Sequence, residues 1–307
     1  MNLQTRQQGT SYGMMLRVCS ALSFSLMTAS MKWAADLEAV SAGEMVFYRS
    51  LFGLPVVIFW IMSKGIGLEA IKTKRPMVHV WRCALGVSGI FMIFEGLRHL
   101  TLADAITIGF TAPIFATLLS IVFLNEKVGH HRWAAIALGF LGVVVVMRPG
   151  VEGAPPLGGL LFALGGAFIA ASVTVTLRQL GKTETATSIV FWFFVACALA
   201  GGIYSLFDSH DHTLKVFAIL AMGGLAGGVA QLFMTMSLQH APVSVLAPLD
   251  YLQMVGALVL GWAMMSDIPT FATLCGAALI AASGLYTAWR ERVLRREITP
   301  PAPTSSV

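Results

Sequence analysis

Long apolar blocks recur along this chain from end to end, separated by short polar breaks. A helix needs about 20 mainly apolar residues to cross the hydrocarbon core of a bilayer, and blocks of that length recur about ten times. Hydrophobic residues fill 57% of the 307 positions and charged residues only 11%. Because backbone in lipid must satisfy its own hydrogen bonds, each block is expected to be a helix. The sequence therefore excludes a soluble domain with one anchor and predicts an all-α integral membrane protein.

The ten predicted transmembrane helices have the bounds 13–32, 43–62, 76–97, 103–123, 132–147, 157–177, 187–207, 215–236, 243–264 and 270–289. The first block could also be a secretion signal, since Arg6 and Arg17 precede an apolar stretch. It runs into Lys32 and Trp33 without a persuasive cleavage site and has a counterpart in the second half, so we retain it as helix 1. The Pro-rich tail, 297–307, is predicted to be disordered.

Basic residues in the connecting segments indicate the orientation. With a cytoplasmic N-terminus, fourteen of the 20 Lys and Arg residues lie in inside segments, Arg17 among them, and four lie outside. Cytoplasmic loops are enriched in Lys and Arg, so both termini are predicted to be cytoplasmic and the location to be the inner membrane. The net charge of +5 belongs to these loops instead of a folded basic surface. Nucleic acid is therefore not an expected partner.

The two halves of the chain repeat. Sliding the sequence by 141 places lays 96–142 over 237–283, so that His99 meets His240 and Phe110 meets Tyr251. Near the start the offset is 146, because the loop between spans 2 and 3 is longer. Each copy holds five helices, an odd number, so the second copy enters from the opposite side and the repeats are inverted. Inverted halves that rock around a central site are a recurrent construction of secondary transporters.

The run GLRHLTLADAITIGFTAPIFATLLSIVFLNEKVGHHRWAAIALGFLGVVVVMRPG, residues 96–150, resembles the EamA repeat of the drug/metabolite transporter superfamily. The resemblance covers nearly the whole chain, more loosely in the second half. It implies ten helices, cytoplasmic termini and a central cavity lined by helices of both halves, including 3, 4, 8 and 9. It divides the chain into a first repeat, 1–150, a second repeat, 151–296, and the tail. Similar proteins export amino acids and other metabolites or import compounds such as S-adenosylmethionine or riboflavin, so no single substrate is implied.

One acidic residue lies deep within a predicted span. Asp250 is about seven residues into span 9, roughly 10 Å along the helix axis at 1.5 Å per residue. Ionisable groups inside the membrane are costly and are functional hypotheses by default. Substrate or proton handling and structural pairing both remain open for this carboxylate. Asp250 is the first candidate for a proton-coupling group, and Glu95 is the second.

Residues near Asp250 and at matching positions of the first half complete the predicted substrate site. Pro248 removes a backbone donor and Pro113 interrupts span 4, and interrupted helices in matching positions of two halves point to a binding site. The predicted substrate-binding residues offer aromatic, amide, hydroxyl and carboxylate groups, and they are Phe91, Phe94, Thr107, Phe110, Thr111, Gln231, Thr235, Asp250, Tyr251 and Gln253. Gly224 and Gly228 share the face of Gln231 and are expected to allow close helix packing.

Charged residues near the ends of spans have two interpretations each. Glu95 can meet the substrate or pair with Arg98. Arg49 and Arg82 are each about six residues inside a span, near opposite faces, so their long side chains are expected to extend to the membrane edges. The family resemblance favours architectural roles for these two arginines, and anion recognition is the alternative. Glu126 and Asp267 are expected to tie down loop ends.

Two other classes of function have weaker support. His99 and Asp104 have the spacing of the His-Asp pair of some acyltransferases, which would make the chain a membrane-bound enzyme. The second half keeps His240 but has Val245 in place of the acid, and no other acyltransferase pattern follows. A duplicated membrane scaffold that does not transport is the other alternative.

Metals, cofactors and nucleotides are not expected. The loop residues Asp208, His210, Asp211 and His212 could ligate a metal, but a hydrophilic outside loop explains them. The four cysteines lie in apolar blocks without metal-type spacing. No GxxxxGK[ST] motif is present, so coupling to an ion or substrate gradient is expected.

The sequence thus predicts a secondary-active carrier of small organic metabolites that works by alternating access, and not an enzyme. Aromatic faces and one deep carboxylate favour amino acids, nucleoside-like compounds or vitamins. A sugar phosphate would need a central cation to offset its desolvation. The expected partners are this small-molecule substrate and the lipid bilayer, with a homo-oligomer left open.

Overall fold

The structure, a computed structural model, describes residues 3–65, 67–73, 75–124, 130–180 and 183–298. Within these ranges the chain forms eleven α-helices and a short 3-10 helix, Gly67–Ile71. The α-helices are α1 Leu3–Leu37, α2 Ala42–Ser63, α3 Pro76–His99, α4 Leu102–Gly109, α5 Ala112–Leu124, α6 His130–Met147, α7 Leu157–Leu180, α8 Ala186–Ser205, α9 Leu214–His240, α10 Val243–Met265 and α11 Phe271–Ile298. Nine helical stretches of the described chain are long and apolar enough to cross a membrane, and Trp133–Met147 is a shorter tenth. The all-α membrane fold is therefore confirmed.

Span 4 is two helices instead of one. The helical hydrogen bonds of α4 end at Phe110, whose N–H donates to the Ile106 carbonyl oxygen at 3.1 Å. The next helix, α5, begins at Ala112. Pro113 lacks an N–H and its ring clashes with the carbonyl four residues earlier, so a continuous helix cannot pass this point cheaply. The expected second interruption is not found, because α10 continues through Pro248.

Both terminal helices are longer than the apolar pattern indicates. The first helix extends from Leu3 to Leu37, and α11 continues to Ile298. Polar helix ends that project beyond the hydrocarbon core carry no hydropathy signal, which is why the sequence places these bounds too far inward. The remainder of the predicted tail and Glu126 lie outside the described residues.

The helices pack as two interlocking sets. α1 packs against α9 and α10, and its counterpart in the second repeat, α7, packs against α3 and α5. α2 packs on α8, and α6 packs on α11. This exchange of partners is what inverted repeats produce. We call the end at which α1 begins and α11 ends the terminal face, and the opposite end the distal face.

Glycines allow α2 and α9 to approach closely. A Cβ atom on Gly224 would lie 2.7 Å from the Tyr48 carbonyl oxygen, and one on Gly228 would lie 2.9 Å from the Gly53 oxygen. Backbone atoms cannot move aside as a flexible side chain can. The packing role expected for these two glycines is therefore what the structure has.

Candidate functional site

Two cavities lie in the centre of the bundle on either side of an aromatic pair. The larger has a volume of about 340 Å³, lies nearer the terminal face and is lined by residues of α1, α4, α5, α7, α9, α10 and α11. The smaller has a volume of about 190 Å³ and lies nearer the distal face. Between them the rings of Phe110 and Tyr251 stack with centroids 4.9 Å apart and planes at 21°. Gly109, Phe110 and Gln253 line both cavities.

The two cavities are counterparts of each other in the repeat. Phe110 and Tyr251 are matched by the 141-residue offset, and a residue stacks on its own counterpart only where the two-fold axis passes between them. The same offsets, 141 and 146, carry residues that line the smaller cavity onto residues that line the larger one. Thr28, Ile93 and Ala167 correspond in this way to Thr174, Met234 and Ala21.

An ion pair lines the larger cavity. The Arg17 guanidinium donates through Nε to Oδ1 of Asp250 and through Nη2 to Oδ2 at 2.7 Å, so the contact is bidentate. The side chains are 12% and 30% exposed, respectively. Arg17 Nη1 is buried and has no hydrogen-bond partner among the described residues. Bidentate guanidinium–carboxylate pairs are among the stronger polar contacts in proteins.

Sequence reasoning did not place Arg17 at the cavity. The charge pattern groups it with the basic residues of the inside segments, whereas it lies within α1 and faces the cavity. The available signal was an arginine inside an apolar span together with a lone acid at similar depth in another span. The counterparts of Arg17 and Asp250 in the smaller cavity are Ala163 and Gly109. The charged pair therefore breaks the symmetry of the two cavities.

The remaining predicted residues at the cavities are Tyr251 and Gln253, beside Phe110. The Tyr251 hydroxyl is buried without a hydrogen-bond partner in the described chain. It lies against Gly284, where a Cβ atom would be only 2.0 Å from the oxygen. The Gln253 carbonyl oxygen accepts a hydrogen bond from Ser25 at 3.0 Å, which fixes α10 on α1 and leaves the amide side chain at the boundary of both cavities.

Four predicted residues of spans 3 and 4 lie away from both cavities. Phe94 is fully buried in the core, and the Phe91 ring packs against Tyr204 with centroids 5.6 Å apart. Thr107 and Thr111 are also buried, and the Thr111 hydroxyl donates to the Ile108 carbonyl oxygen at 2.7 Å. These side chains pack the helices that surround the cavities.

The other two predicted residues, Gln231 and Thr235, lie beside Arg49. Gln231 Oε1 accepts a hydrogen bond from Arg49 Nη2 at 3.1 Å, and the Thr235 hydroxyl donates to the Gln231 carbonyl oxygen at 2.9 Å. All three side chains are buried. This hydrogen-bonded group joins α2 to α9 and does not line either cavity.

The expectation that Arg49 and Arg82 extend to the membrane edges is wrong. Each is only 1% exposed, and their guanidinium carbons lie 5.5 Å and 4.0 Å from the centroid of the Phe193 ring. The two residues start near opposite faces, but both side chains point inward and meet at this ring. Cation–π contact offsets part of the cost of burying a guanidinium group.

The residues of the acyltransferase-like spacing have separate partners. His99 Nε2 lies 3.0 Å from Glu95 Oε1, and Glu95 also accepts from Arg98 at 3.0 Å. Asp104 is buried and accepts a hydrogen bond from the Thr273 hydroxyl at 2.6 Å. The His99 and Asp104 side chains are thus engaged in different contacts.

Asp267, which was expected to tie down a loop end, lies between α10 and α11. Its backbone N–H donates to the Gly261 carbonyl oxygen at 3.1 Å. Burial raises the pKa of its carboxyl group, and the nearby Asp104 acts in the same direction.

A cluster at the distal face involves the loop that contains His210 and His212. His212 Nδ1 lies 3.0 Å from Glu38 and its Nε2 lies 3.0 Å from Glu44, so the ring bridges the end of α1 and the start of α2. Hydrogen bonds from the Thr213 side chain lower the pKa of Glu38, and His212 adds to this effect. No group of three His, Cys, Asp or Glu residues suited to a metal is found in the described ranges.

Comparison with known proteins agrees with this architecture. The sequence model of the EamA-like transporter family matches residues 11–148 and again 157–288. A riboflavin transporter of Rhizobium johnstonii is 29% identical, with 94% of each chain covered. A pseudopaline exporter of Pseudomonas aeruginosa is 27% identical over 87% of this chain and 93% of its own. An S-adenosylmethionine uptake transporter of Rickettsia felis is 26% identical over 81% and 83%, respectively.

A solved crystal structure shares the fold. It aligns with a TM-score of 0.68 over 92% of this chain and 99% of its own, at 19% sequence identity. Two matches to one family model together cover most of the chain, and the relatives are transporters of small molecules. The chain is a multi-pass membrane transporter of small metabolites and belongs to the EamA-like transporter family.

Proposed function

We propose that the chain is a secondary-active carrier in which the two repeats rock about the Phe110–Tyr251 stack. The observation that carries this proposal is the stack of two repeat counterparts between two matched cavities. When the two inverted repeats exchange their conformations, one cavity becomes larger and the other becomes smaller. The substrate is then exposed alternately at the terminal and the distal face.

The proposed substrates are amino acids, nucleoside-like compounds or vitamins. A volume of about 340 Å³ is within the range of small-molecule pockets, and the exposed edge of an aromatic stack suits planar groups. The names of relatives, a riboflavin transporter and an S-adenosylmethionine uptake transporter, support planar metabolites. Phosphorylated sugars remain disfavoured, because Asp250 neutralises the Arg17 cation of the cavity.

For coupling, we propose an ion or substrate gradient, with Asp250 as the first proton-binding candidate. Proton binding there requires that the carboxylate first leave Arg17. Glu95 is the weaker candidate, because it is paired with Arg98 and His99 at the distal face. We place the protein in the inner membrane with the terminal face, and so both termini, in the cytoplasm.

Counterflow in proteoliposomes tests the carrier function. Liposomes loaded with pools of amino acids, nucleosides or vitamins are diluted into labelled members of the same pool. We expect exchange with at least one pool and a loss of about fivefold in the Phe110→Ala variant, since base-like rings lose a stacking surface worth on the order of 1 kcal/mol. Phe59→Ala is the matched control, because Phe59 is 72% exposed on the outside of the bundle. Absence of exchange with every pool would refute the proposal.

A further inference from the structure

The ion pair of the larger cavity has no symmetry counterpart. Arg17 and Asp250 lie where the smaller cavity has Ala163 and Gly109. A pair needed only to hold the repeats together could lie anywhere on their interface. This one faces the cavity, with the Asp250 side chain 30% exposed and a buried Arg17 nitrogen that has no partner among the described residues.

Charge balance restricts what can bind beside this pair. The pair is neutral as a whole. A ligand with only a carboxylate that takes Arg17 leaves Asp250 charged and unpaired in a low-dielectric site, and a ligand with only an ammonium group that takes Asp250 leaves Arg17 unpaired. An unpaired charge in such a site is strongly unfavourable. A ligand that carries both groups leaves no charge uncompensated.

We propose that the Arg17–Asp250 pair selects zwitterionic head groups by ion-pair exchange, with the substrate carboxylate on Arg17 and its ammonium group on Asp250. The inference rests on the proposed carrier function and narrows its substrate class. It makes Arg17 a substrate-binding and specificity-determining residue. Neutral nucleosides and neutral vitamins, which offer neither charge, are excluded as preferred substrates.

The surroundings suit a molecule with a charged head and an apolar or planar body. Phe110 and Tyr251 line the same cavity as the ion pair, so a side chain attached to the head group has an aromatic surface beside it. Ser20, Thr117 and Thr174 also line the cavity, and their hydroxyl groups donate to backbone carbonyl oxygens.

Three matched ligand pools test the proposal on the purified full-length protein. The first pool holds the proteinogenic L-amino acids with uncharged side chains, the second the amines left when their carboxyl groups are removed, and the third the acids left when their amino groups are removed. Binding is measured as the rise in melting temperature, since a ligand of the folded state stabilises it by mass action. The wild type is expected to bind the amino-acid pool on the order of a hundredfold more tightly than either other pool.

Single substitutions are expected to shift the charge preference in opposite directions. Arg17→Gln leaves Asp250 free and should favour the amine pool, whereas Asp250→Asn leaves Arg17 free and should favour the acid pool. A variant with an unpaired charge can fail to fold, so the double variant Arg17→Gln, Asp250→Asn is included. The double variant carries no charge at either position, and its two side chains are close in shape to those of the wild type. It should therefore fold and bind all three pools with similar, weak affinity.

The outcomes separate this proposal from the carrier function. If the wild type binds the amine or acid pool as tightly as the amino acids, or binds none of the three, zwitterion selection is wrong. Unchanged preference in the folded double variant would also overturn it, because the pair would then be structural. In each of these cases exchange of a neutral metabolite in the counterflow assay would leave the carrier function standing.

Discussion

Replacing Tyr251 by Phe is expected to stabilise the protein while weakening the site. The hydroxyl of Tyr251 is buried and has no hydrogen-bond partner among the described residues. A buried polar group without a partner costs about 1–3 kcal/mol, most of which returns when the group is removed. The ring keeps its stack on Phe110, whose centroid is 4.9 Å away. We therefore expect Tyr251→Phe to raise the free energy of unfolding by about 1 kcal/mol.

Tyr286→Phe is the matched control, because it removes the same atom from a hydroxyl that has a partner. Tyr286 Oη lies 3.0 Å from His131 Nδ1. Loss of this hydrogen bond should lower the free energy of unfolding by about 0.5–1.5 kcal/mol. Both variants are compared with the wild type by melting temperature in detergent, followed through tryptophan fluorescence.

The sign of the difference decides the matter. If Tyr251→Phe lowers the melting temperature as much as Tyr286→Phe does, the Tyr251 hydroxyl has a partner and the argument fails. If Tyr251→Phe is stabilising and also weakens substrate binding, the hydroxyl is kept at a cost to stability for the sake of the ligand, a common compromise at functional sites.

Three further predictions concern packing, pH and topology. Gly224→Ala should lower the free energy of unfolding by about 1–3 kcal/mol, because the new Cβ atom would press on the α2 backbone. The control is Gly158→Ala, where a Cβ atom meets nothing within 4 Å, and this variant should be neutral or mildly stabilising. The pKa of Glu38 is lowered, so its ionised carboxylate stabilises the folded protein. This contribution is complete above pH 4.5, the ordinary carboxyl value, and is lost as the pH falls through the lowered pKa. The Glu38→Gln variant should therefore lose less stability at acidic pH than the wild type. In a cysteine-free background, an impermeant thiol reagent on intact cells should label the Ser209→Cys variant and spare Thr183→Cys, and the reverse pattern would invert the proposed orientation.

Much of the fold follows from the sequence because lipid imposes simple rules. Block length predicts the helices, an odd number of helices per repeat predicts inversion, and Pro113 predicts the break in span 4. The repeat offset also pairs Phe110 with Tyr251, the two rings that stack at the centre of the bundle. Pro248 shows the limit of such rules, since the same residue type is accommodated within α10.

The cavity lining is harder to predict, for a physical reason. Spans that are apolar on all sides give no periodic signal of which side faces the cavity and which faces lipid. Phe94 and Gln231 therefore lie at a suitable depth without lining a cavity. The Phe94 side chain is buried in the core, and the Gln231 side chain accepts a hydrogen bond from Arg49. Arg17 and Asp250 are 233 residues apart in the chain, and their contact depends on the rotation of two helices about their axes.

The off-axis position of the ion pair has a consequence for transport kinetics. When inverted repeats exchange conformations, the volumes of the two cavities exchange, but Arg17 and Asp250 stay on the terminal side of the Phe110–Tyr251 stack. In the exchanged state that we propose, the larger volume lies beside Ala163 and Gly109, where the cavity lining offers no side-chain charge to the head group of a zwitterion. We therefore expect a lower KM for substrate offered at the terminal face than at the distal face. The gradient still sets the direction of net flux, so a compensating difference in maximal rates must accompany the difference in KM. Measurement of both KM values in liposomes of uniform orientation decides the point, and equal values would mean that the head group binds on the axis itself.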